Sequence, residues 1–164
     1  MSSYHNLAML VLTTGICVSV TRAQPSTVSV TISAKAQSYR TLGDVVLEIR
    51  ISNLGDHRIS LRTIDADPPV LPAAVDDAGR PAILTTMLPK TGTTRNLDYV
   101  LDARQIRRYE VTVRQLLGKG QQLSGGNAGP FNVKVVLLSL QYRDGIYKAD
   151  QIESNSMRVG IAPQ

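Results

Sequence analysis

Hydrophobic and polar residues alternate with a period of two along most of the chain after residue 26. This alternation is typical of β-strands with one buried and one exposed face, because successive side chains point to opposite sides of a strand. The clearest example is Asp44–Ser52, where aliphatic residues fill one phase and mostly polar residues the other. The pattern predicts strands over Thr27–Ala34, Asp44–Ser52, Arg58–Arg62, Ala82–Leu88, Tyr109–Arg114, Phe131–Tyr142 and Met157–Ile161. Leu97–Leu101 is also apolar, but Leu97, Leu101 and Arg104 would equally suit a helix.

The segments between these strands carry residues that favour turns and loops. Asn53–Asp56 predicts either a hairpin or a corner between two sheets. The prolines of Asp65–Pro72 exclude a central strand, so we expect a loop or an edge there. Gly118–Pro130 holds five glycines and predicts a flexible loop or the end of a long hairpin, with no regular structure. Asp150–Asn155 is polar and leads into the last strand.

Short strands separated by turns, without an amphipathic helix, indicate an all-β fold. The 164 residues suit one domain and are too few for two domains that each bury a sizeable core. We therefore predict an immunoglobulin-like antiparallel β-sandwich of seven or eight strands. Its predicted core includes the inward-facing aliphatic residues Val30, Leu47, Ile49, Leu61, Val111, Val113, Val135, Leu137 and Val159.

Residues 7–20, LAMLVLTTGICVSV, form an apolar segment of the length found in secretory signal peptides and short for a membrane span. We predict a signal peptide over 1–23 and a mature domain over 24–164, although the first six residues lack lysine and arginine. A buried N-terminal strand or helix is the alternative. Cleavage after Ala23 removes Cys17, so we expect no disulfide in the mature chain. It also removes the apolar segment, so we expect no membrane span in the mature chain and a periplasmic or secreted location.

The remaining composition argues against catalysis. The mature chain keeps one histidine, His57, and no cysteine, which is too few for a typical zinc site. No Gly-x-Ser-x-Gly sequence marks a nucleophilic serine. We therefore predict that the protein is not an enzyme and needs no cofactor. Four aspartates have the chemistry of calcium ligands, but their positions beside Pro and Gly favour turn formation: Asp65, Asp67, Asp76 and Asp77.

A basic stretch from Arg104 to Arg114 raises the question of nucleic acid. Aromatic residues make up only 4% of the chain, so a base-stacking surface lacks its usual side chains. Glu110 interrupts the basic face. We therefore interpret the stretch as the solvated face of a strand, where charges also discourage edge-to-edge aggregation, and predict no nucleic-acid partner.

Five sequence segments together resemble a known domain: GDVVLEIRISNLGDHRISL, VDDAGRP, LDYVLDARQIRRYEVTV, a Gly-Pro before the long apolar strand, and IESNSMRV. Over about Val28 to Ile161 the chain resembles the bacterial immunoglobulin-like domain that accompanies deuterolysin-type (aspzincin) metallopeptidases. Those peptidases need a His-Glu-x-x-His helix, and this sequence has none. The resemblance thus implies the accessory domain without its catalytic domain.

These observations predict an exported, non-catalytic binding or accessory module of the cell envelope. We expect a monomer whose partner is another exported or envelope protein. The expected contact residues lie in the two loops, because loops of a sandwich vary without disturbing its core: Asp65, Asp67, Pro68, Pro69, Lys119, Gln121, Gln122 and Asn127. The alternative is an inhibitor of an exported peptidase that presents Asp65–Leu71 as an exposed bait.

Overall fold

The computed structural model of the protein describes residues 27–64, 66–85, 97–118, 120–124, 129–143 and 146–162. The predicted signal peptide and three of the predicted contact residues, Asp65, Lys119 and Asn127, lie outside these ranges. The described residues form twelve strands, a 3-10 helix at Leu42–Asp44 and one short α-helix: β1 (Val28–Ala34), β2 (Ser38–Tyr39), β3 (Val46–Asn53), β4 (Ile59–Thr63), β5 (Val70–Asp76), β6 (Ile83–Thr85), β7 (Leu97–Leu101), β8 (Ile106–Thr112), α1 (Val113–Leu116), β9 (Gln121–Leu123), β10 (Phe131–Arg143), β11 (Ile146–Glu153) and β12 (Met157–Ile161).

The first sheet has the antiparallel order β1-β3-β8. Leu47, Ile49 and Ile51 of β3 are completely buried, and Arg50 on the opposite phase is exposed. The alternation in the sequence therefore gives the correct inward face of this sheet. The outer face is a layer of charged and hydroxyl side chains in water.

The second sheet is built around β10. One edge of β10 pairs with β11 and β12, and its other edge pairs with β5. β2 adds to β12 as a parallel strand, and β5 leads to the β6–β9 pair through a bridge between Val75 and Pro81. β10 is thus a central strand, as its long apolar run predicts. β5 contains Pro72 and pairs with β10 along one side. The prediction that this segment lies at the edge of a sheet is therefore correct for Pro72.

β4 and β7 form a separate antiparallel pair. Because β3 pairs with β1 and β8, and β4 pairs with β7, residues 53–58 form a corner between sheets and not a hairpin. The inner faces of both main sheets belong to one hydrophobic core. The all-β sandwich class predicted from the sequence is confirmed.

Seven of the nine predicted core residues are buried; Leu61 and Val111 are half-buried and pack against the core. The predicted number of strands is too low, because β2, β5, β9 and β11 were not predicted as strands. The predicted strand that ends at Arg114 is also wrong at its end. Val113–Leu116 is helical because Thr112 and Gln115 form a capping box.

Candidate partner-binding surfaces

The first predicted contact loop is less exposed than expected. Asp67 is exposed, but Pro68, Pro69 and Val70 are buried, and the Asp67–Pro68 peptide bond is cis. The two prolines pack into the protein at the start of β5, whereas the sequence analysis placed them on an exposed segment. The expectation of an exposed bait at Asp65–Leu71 is therefore wrong for Pro68–Val70.

The second predicted loop contains regular structure. Gln121–Leu123 is strand β9, so the expectation of no regular structure across Gly118–Pro130 is wrong there. The Gln121 Oε1 atom accepts a hydrogen bond from the Gly118 N–H at 3.0 Å, which turns the amide inward. Gln122 remains exposed and lies opposite Leu84, whose exposed fraction is 39%.

The two loops meet at one point. A Cβ atom at Gly118 would lie 3.3 Å from Leu71 Cδ2, so the chain passes close to the first residues of β5 there. Among the described residues of this region, Asp67 on one loop and Gln122 with Leu84 on the β6–β9 pair are exposed.

The corner between the sheets is held by a buried asparagine. Asn53 is 1% exposed; its Oδ1 accepts from the Gly55 N–H at 2.9 Å, and its Nδ2 donates to the carbonyls of His57 at 2.8 Å and Asp102 at 2.9 Å. One side chain thereby joins the β3–β4 corner to the β7–β8 turn. The sequence analysis treated Asn53 as a turn residue only, and nothing in its spacing shows these long-range bonds.

Ion pairs surround this asparagine on the surface. Arg104 binds the Asp56 carboxylate at 2.7 Å, and Arg58 lies 3.6 Å from Asp102. His57 is exposed, and its backbone carbonyl accepts the hydrogen bond from Asn53. Charged side chains here connect two turns, and their exposure means that each pair contributes little free energy.

A second polar cluster lies beneath β8. The hydroxyls of Tyr99 and Tyr109 are 3.0 Å apart, and the Arg107 guanidinium carbon lies 4.8 Å from the centre of the Tyr99 ring. Arg107 also donates to the Val100 carbonyl at 2.9 Å. Burial, with the Tyr109 hydrogen bond, raises the pKa of the Tyr99 hydroxyl well above its usual range. Tyr99 therefore stays protonated and connects β7 to β8 as a hydrogen-bonding group.

The Asp76–Arg80 turn uses its acidic groups internally. The Asp76 carboxylate accepts from the Ala78 N–H, the Arg80 N–H and the Arg80 guanidinium, and these bonds, led by the one from the Arg80 backbone, lower its pKa. Asp77 pairs with Arg158 at 2.8 Å. Both aspartates line an open depression of about 240 Å³. Across the described ranges, no group of three or more His, Cys, Asp or Glu residues is arranged to hold a metal ion.

The outer edge of β1, here called the β1 edge, is closed by a side chain. Val28 pairs with Asn53 and Ala34 with Leu47, and in this register the backbone of Ile32 faces away from β3. The Ile32 N–H donates to Asn155 Oδ1 at 2.8 Å, and Asn155 Nδ2 donates to the Ile32 carbonyl at 3.0 Å. The Asn155 amide thus takes the place of a neighbouring strand at the middle of this edge.

The opposite edge of the same sheet is open. The Asn53 N–H donates to the Gln105 carbonyl and the Val113 N–H to the Val45 carbonyl, so odd-numbered backbone groups of β8 face β3. The N–H and carbonyl groups of Ile106, Arg108 and Glu110 consequently face outward, and we call them the β8 edge. Among the described residues, no strand other than β3 pairs with β8.

Side-chain exposure at the β8 edge agrees with this geometry. Ile106 is 53% exposed, and Arg108 and Glu110 are exposed on the outer face. The charged face of this strand was predicted from the sequence, but not that the backbone beneath it has no neighbouring strand other than β3 among the described residues. That property depends on which strand becomes the neighbour of β3, and alternation does not encode it.

The comparisons with known proteins add no relative. No protein-family model matches the chain, and no curated protein matches it. No helix in the described part of the chain is long and apolar enough to cross a membrane.

Proposed function

We propose that the protein is an exported, non-catalytic binding module of the cell envelope, and that it binds a protein chain by strand pairing at the β8 edge. One observation carries the proposal. The β8 edge presents N–H and carbonyl groups at three alternate residues, beside an isoleucine that is half exposed. An extended segment of a partner satisfies such groups by adding a strand to the sheet.

The use of polar groups elsewhere supports a binding role over a catalytic one. The Asn53 amide, the Asp76 carboxylate and the Tyr99 hydroxyl each bond to groups of the same domain. These bonds hold turns and strands in place. The outward N–H and carbonyl groups of the β8 edge differ from them, because no strand of the described residues pairs with these groups.

The fold is compatible with this role. β1, β3 and β8 form one layer, and β5, β10 and β11 belong to the other. This division of strands supports the immunoglobulin-like interpretation, and many domains of that architecture bind proteins through edges and loops. The apolar segment at residues 7–20 supports export.

The inhibitor alternative lacks such support. It depended on an exposed Asp65–Leu71 segment, and Pro68, Pro69 and Val70 are buried. A bait must reach into the cleft of a peptidase, so buried residues do not serve as one. We therefore do not propose an inhibitor.

Strand pairing is tested by a proline at the edge. Arg108→Pro removes an outward N–H that makes no bond to β3, so the fold should tolerate it. Arg108→Gln is the matched control, because it removes the same charge and keeps the N–H. Cross-linking and affinity capture from the envelope fraction of producing cells should show a specific partner with the wild type and Arg108→Gln, and none with Arg108→Pro.

Two results would contradict the proposal. Equal capture by Arg108→Pro and the wild type would exclude strand pairing at this edge, provided that the melting temperatures agree. A wild type that captures no specific partner would contradict it as well. Export is tested separately: the protein recovered from the envelope or medium should begin at Gln24, and recovery of an intact Met1 terminus from cytoplasm would contradict it.

A further inference from the structure

We infer that a second copy of this chain occupies the β8 edge, pairing antiparallel so that Arg108 of each copy faces Glu110 of the other. This inference rests on the proposed use of the β8 edge for strand pairing, and it names the occupant. It differs from the monomer expected from the sequence. Its basis is the order of charges along β8.

Two copies of β8 overlap completely when they pair antiparallel about the middle residue of the strand. β8 runs from Ile106 to Thr112, so Tyr109 is the central residue. When two copies pair antiparallel about Tyr109, each strand overlaps the other along its full length. Arg108 then lies opposite Glu110, and Glu110 lies opposite Arg108. These are outward-facing residues on both copies, as hydrogen-bonded antiparallel pairs require.

The charges select this register over its neighbours. Because only every second residue of β8 faces outward, the partner strand must shift in steps of two residues. A shift in one direction places Arg108 opposite Arg108, and a shift in the other direction places Glu110 opposite Glu110. Like charges directly opposite each other destabilise a strand pair. Only the register centred on Tyr109 makes two attractive pairs.

Among the described residues, Arg108 has no carboxylate directly opposite it, although Glu48 is near enough to attract it. Across the sheet it lies opposite Arg50, whose guanidinium is held by Glu48 at 2.8 Å. The described part of the chain offers the Arg108 guanidinium no ion pair or hydrogen bond. A carboxylate opposite Arg108 would offset the neighbouring positive charge of Arg50.

Glu110 is able to provide that carboxylate. It binds Lys35 at 2.6 Å through its Oε2 atom, and both side chains are more than half exposed. A carboxylate has two oxygens and accepts from two cations at once. Pairing with a second copy therefore does not require that the Lys35 contact breaks.

The far edge of the sheet limits the assembly to two copies. Within the β8 pair, Ile106 lies opposite Thr112, whose N–H is already bonded to Gln115 Oε1 at 2.8 Å, so the bonds between the copies centre on Arg108 and Glu110. At the far side of the sheet, Asn155 closes the middle of the β1 edge. A two-fold pair of β8 strands therefore gives a closed six-stranded sheet in place of an open fibre.

A charge-swap series tests the inference with the purified protein alone. Sedimentation equilibrium should show a reversible dimer for the wild type at protein concentrations up to about 1 mM. Arg108→Glu and Glu110→Arg each turn both attractive pairs into repulsive ones, so each should raise the dimer dissociation constant by about tenfold or more. The swapped double variant should recover the dimer, since it restores opposite charges at every pair.

Mixing the two single variants gives the more specific test. At positions 108 and 110, Arg108→Glu carries two acids and Glu110→Arg carries two bases, so a heterodimer should form where neither variant pairs with itself. Circular dichroism and melting temperature establish that each variant is folded. A wild type that stays monomeric over the whole concentration range would overturn the inference, as would a dimer that ignores the charge swaps.

This result is separable from the proposed function. A monomer in sedimentation, together with capture of another envelope protein that Arg108→Pro abolishes, would overturn the second copy and retain the binding module. A dimer unaffected by Arg108→Pro would overturn the second copy alone, because that dimer would form through another surface and leave the β8 edge to a different partner.

Discussion

The two edges of the three-stranded sheet differ in whether a side chain of the same domain bonds to their outward backbone groups. At the β1 edge, the Asn155 side chain supplies one donor and one acceptor to the backbone of Ile32. At the β8 edge, Ile106, Arg108 and Glu110 present the same kinds of backbone group to solvent. Both edges belong to one sheet, so the difference lies in what the chain places beside each edge.

The difference indicates which edge is structural and which is available. Unpaired strand edges favour association with other chains, and proteins that do not use an edge usually block it. Here the loop between β11 and β12 blocks the β1 edge, with Ser154 also bonded to Val135 of β10. The β8 edge has charged side chains on its outer face, and their order along the strand is self-complementary.

The largest expected effect comes from breaking the strand that holds both edges. Leu47 lies in the middle of β3 and is completely buried. Leu47→Ala leaves a cavity in the core, so the free energy of unfolding should fall by about 2 to 5 kcal/mol, as measured by urea denaturation. Ser33→Ala on the exposed outer face is the control and should change it by less than about 0.5 kcal/mol. Equal effects of the two substitutions would show that the assigned faces of the sheet are wrong.

The next largest loss of stability is expected from a substitution at Asn53, which lies at the end of the sheet where β1 and β8 begin. Asn53 pairs with Val28 of β1 and bonds to the turn that precedes β8. Asn53→Ala leaves the Gly55 N–H and two carbonyls without their partner in a buried site, so unfolding should become easier by about 1 to 3 kcal/mol. Thermal denaturation measures this change. A variant as stable as the wild type would mean that water replaces the amide at no cost.

A smaller loss of stability is expected from a substitution at Asn155, which should open the β1 edge. Asn155→Ala removes both bonds to Ile32, and we expect a loss of about 1 kcal/mol because the freed groups gain access to water. Amide hydrogen exchange is the informative measurement. The Ile32 amide should exchange faster in the variant, while the Ser33 amide, which faces β3, should keep its rate. Unchanged exchange at Ile32 would show that Asn155 does not close the edge in solution.

The smallest effect is a pH dependence on the outer face between the two edges. The hydrogen bond from Arg50 lowers the pKa of the Glu48 carboxyl below its ordinary value of 4.5. The stabilisation from this pair is present above that value and is lost as the pH falls through the lowered folded value. Glu48→Gln should therefore be less stable than the wild type at neutral pH and equally stable in strong acid. A gap that persists in strong acid would assign the effect to packing.

The sequence predicts the parts of this comparison that depend on periodicity. The buried phase of β1 and β3 follows from alternation, because one buried face requires an apolar residue at every second position. Seven or eight strands and the corner after β3 were predicted mainly on that basis, with the corner left open against a hairpin. β11 was not predicted as a strand, since its residues from Lys148 onward are largely polar.

The sequence does not predict which edges are open. Asn155 and Ile32 are 123 residues apart, and nothing local to either residue indicates their contact. Pro68 and Pro69 illustrate the reverse problem, because proline is common in exposed loops and is buried here. The candidate surface on β8 therefore emerges only when the strand order is known, although its charge order is visible in the sequence.

The most direct measurement is amide hydrogen exchange along β8 at low and high protein concentration. Pairing with a second copy predicts that the Arg108 and Glu110 amides become protected as the concentration rises, while the Tyr109 and Val111 amides, already bonded to β3, keep their rates. In Arg108→Glu the added protection should disappear. Exchange at Arg108 and Glu110 that is fast and independent of concentration would contradict the claim that the β8 edge binds a second copy.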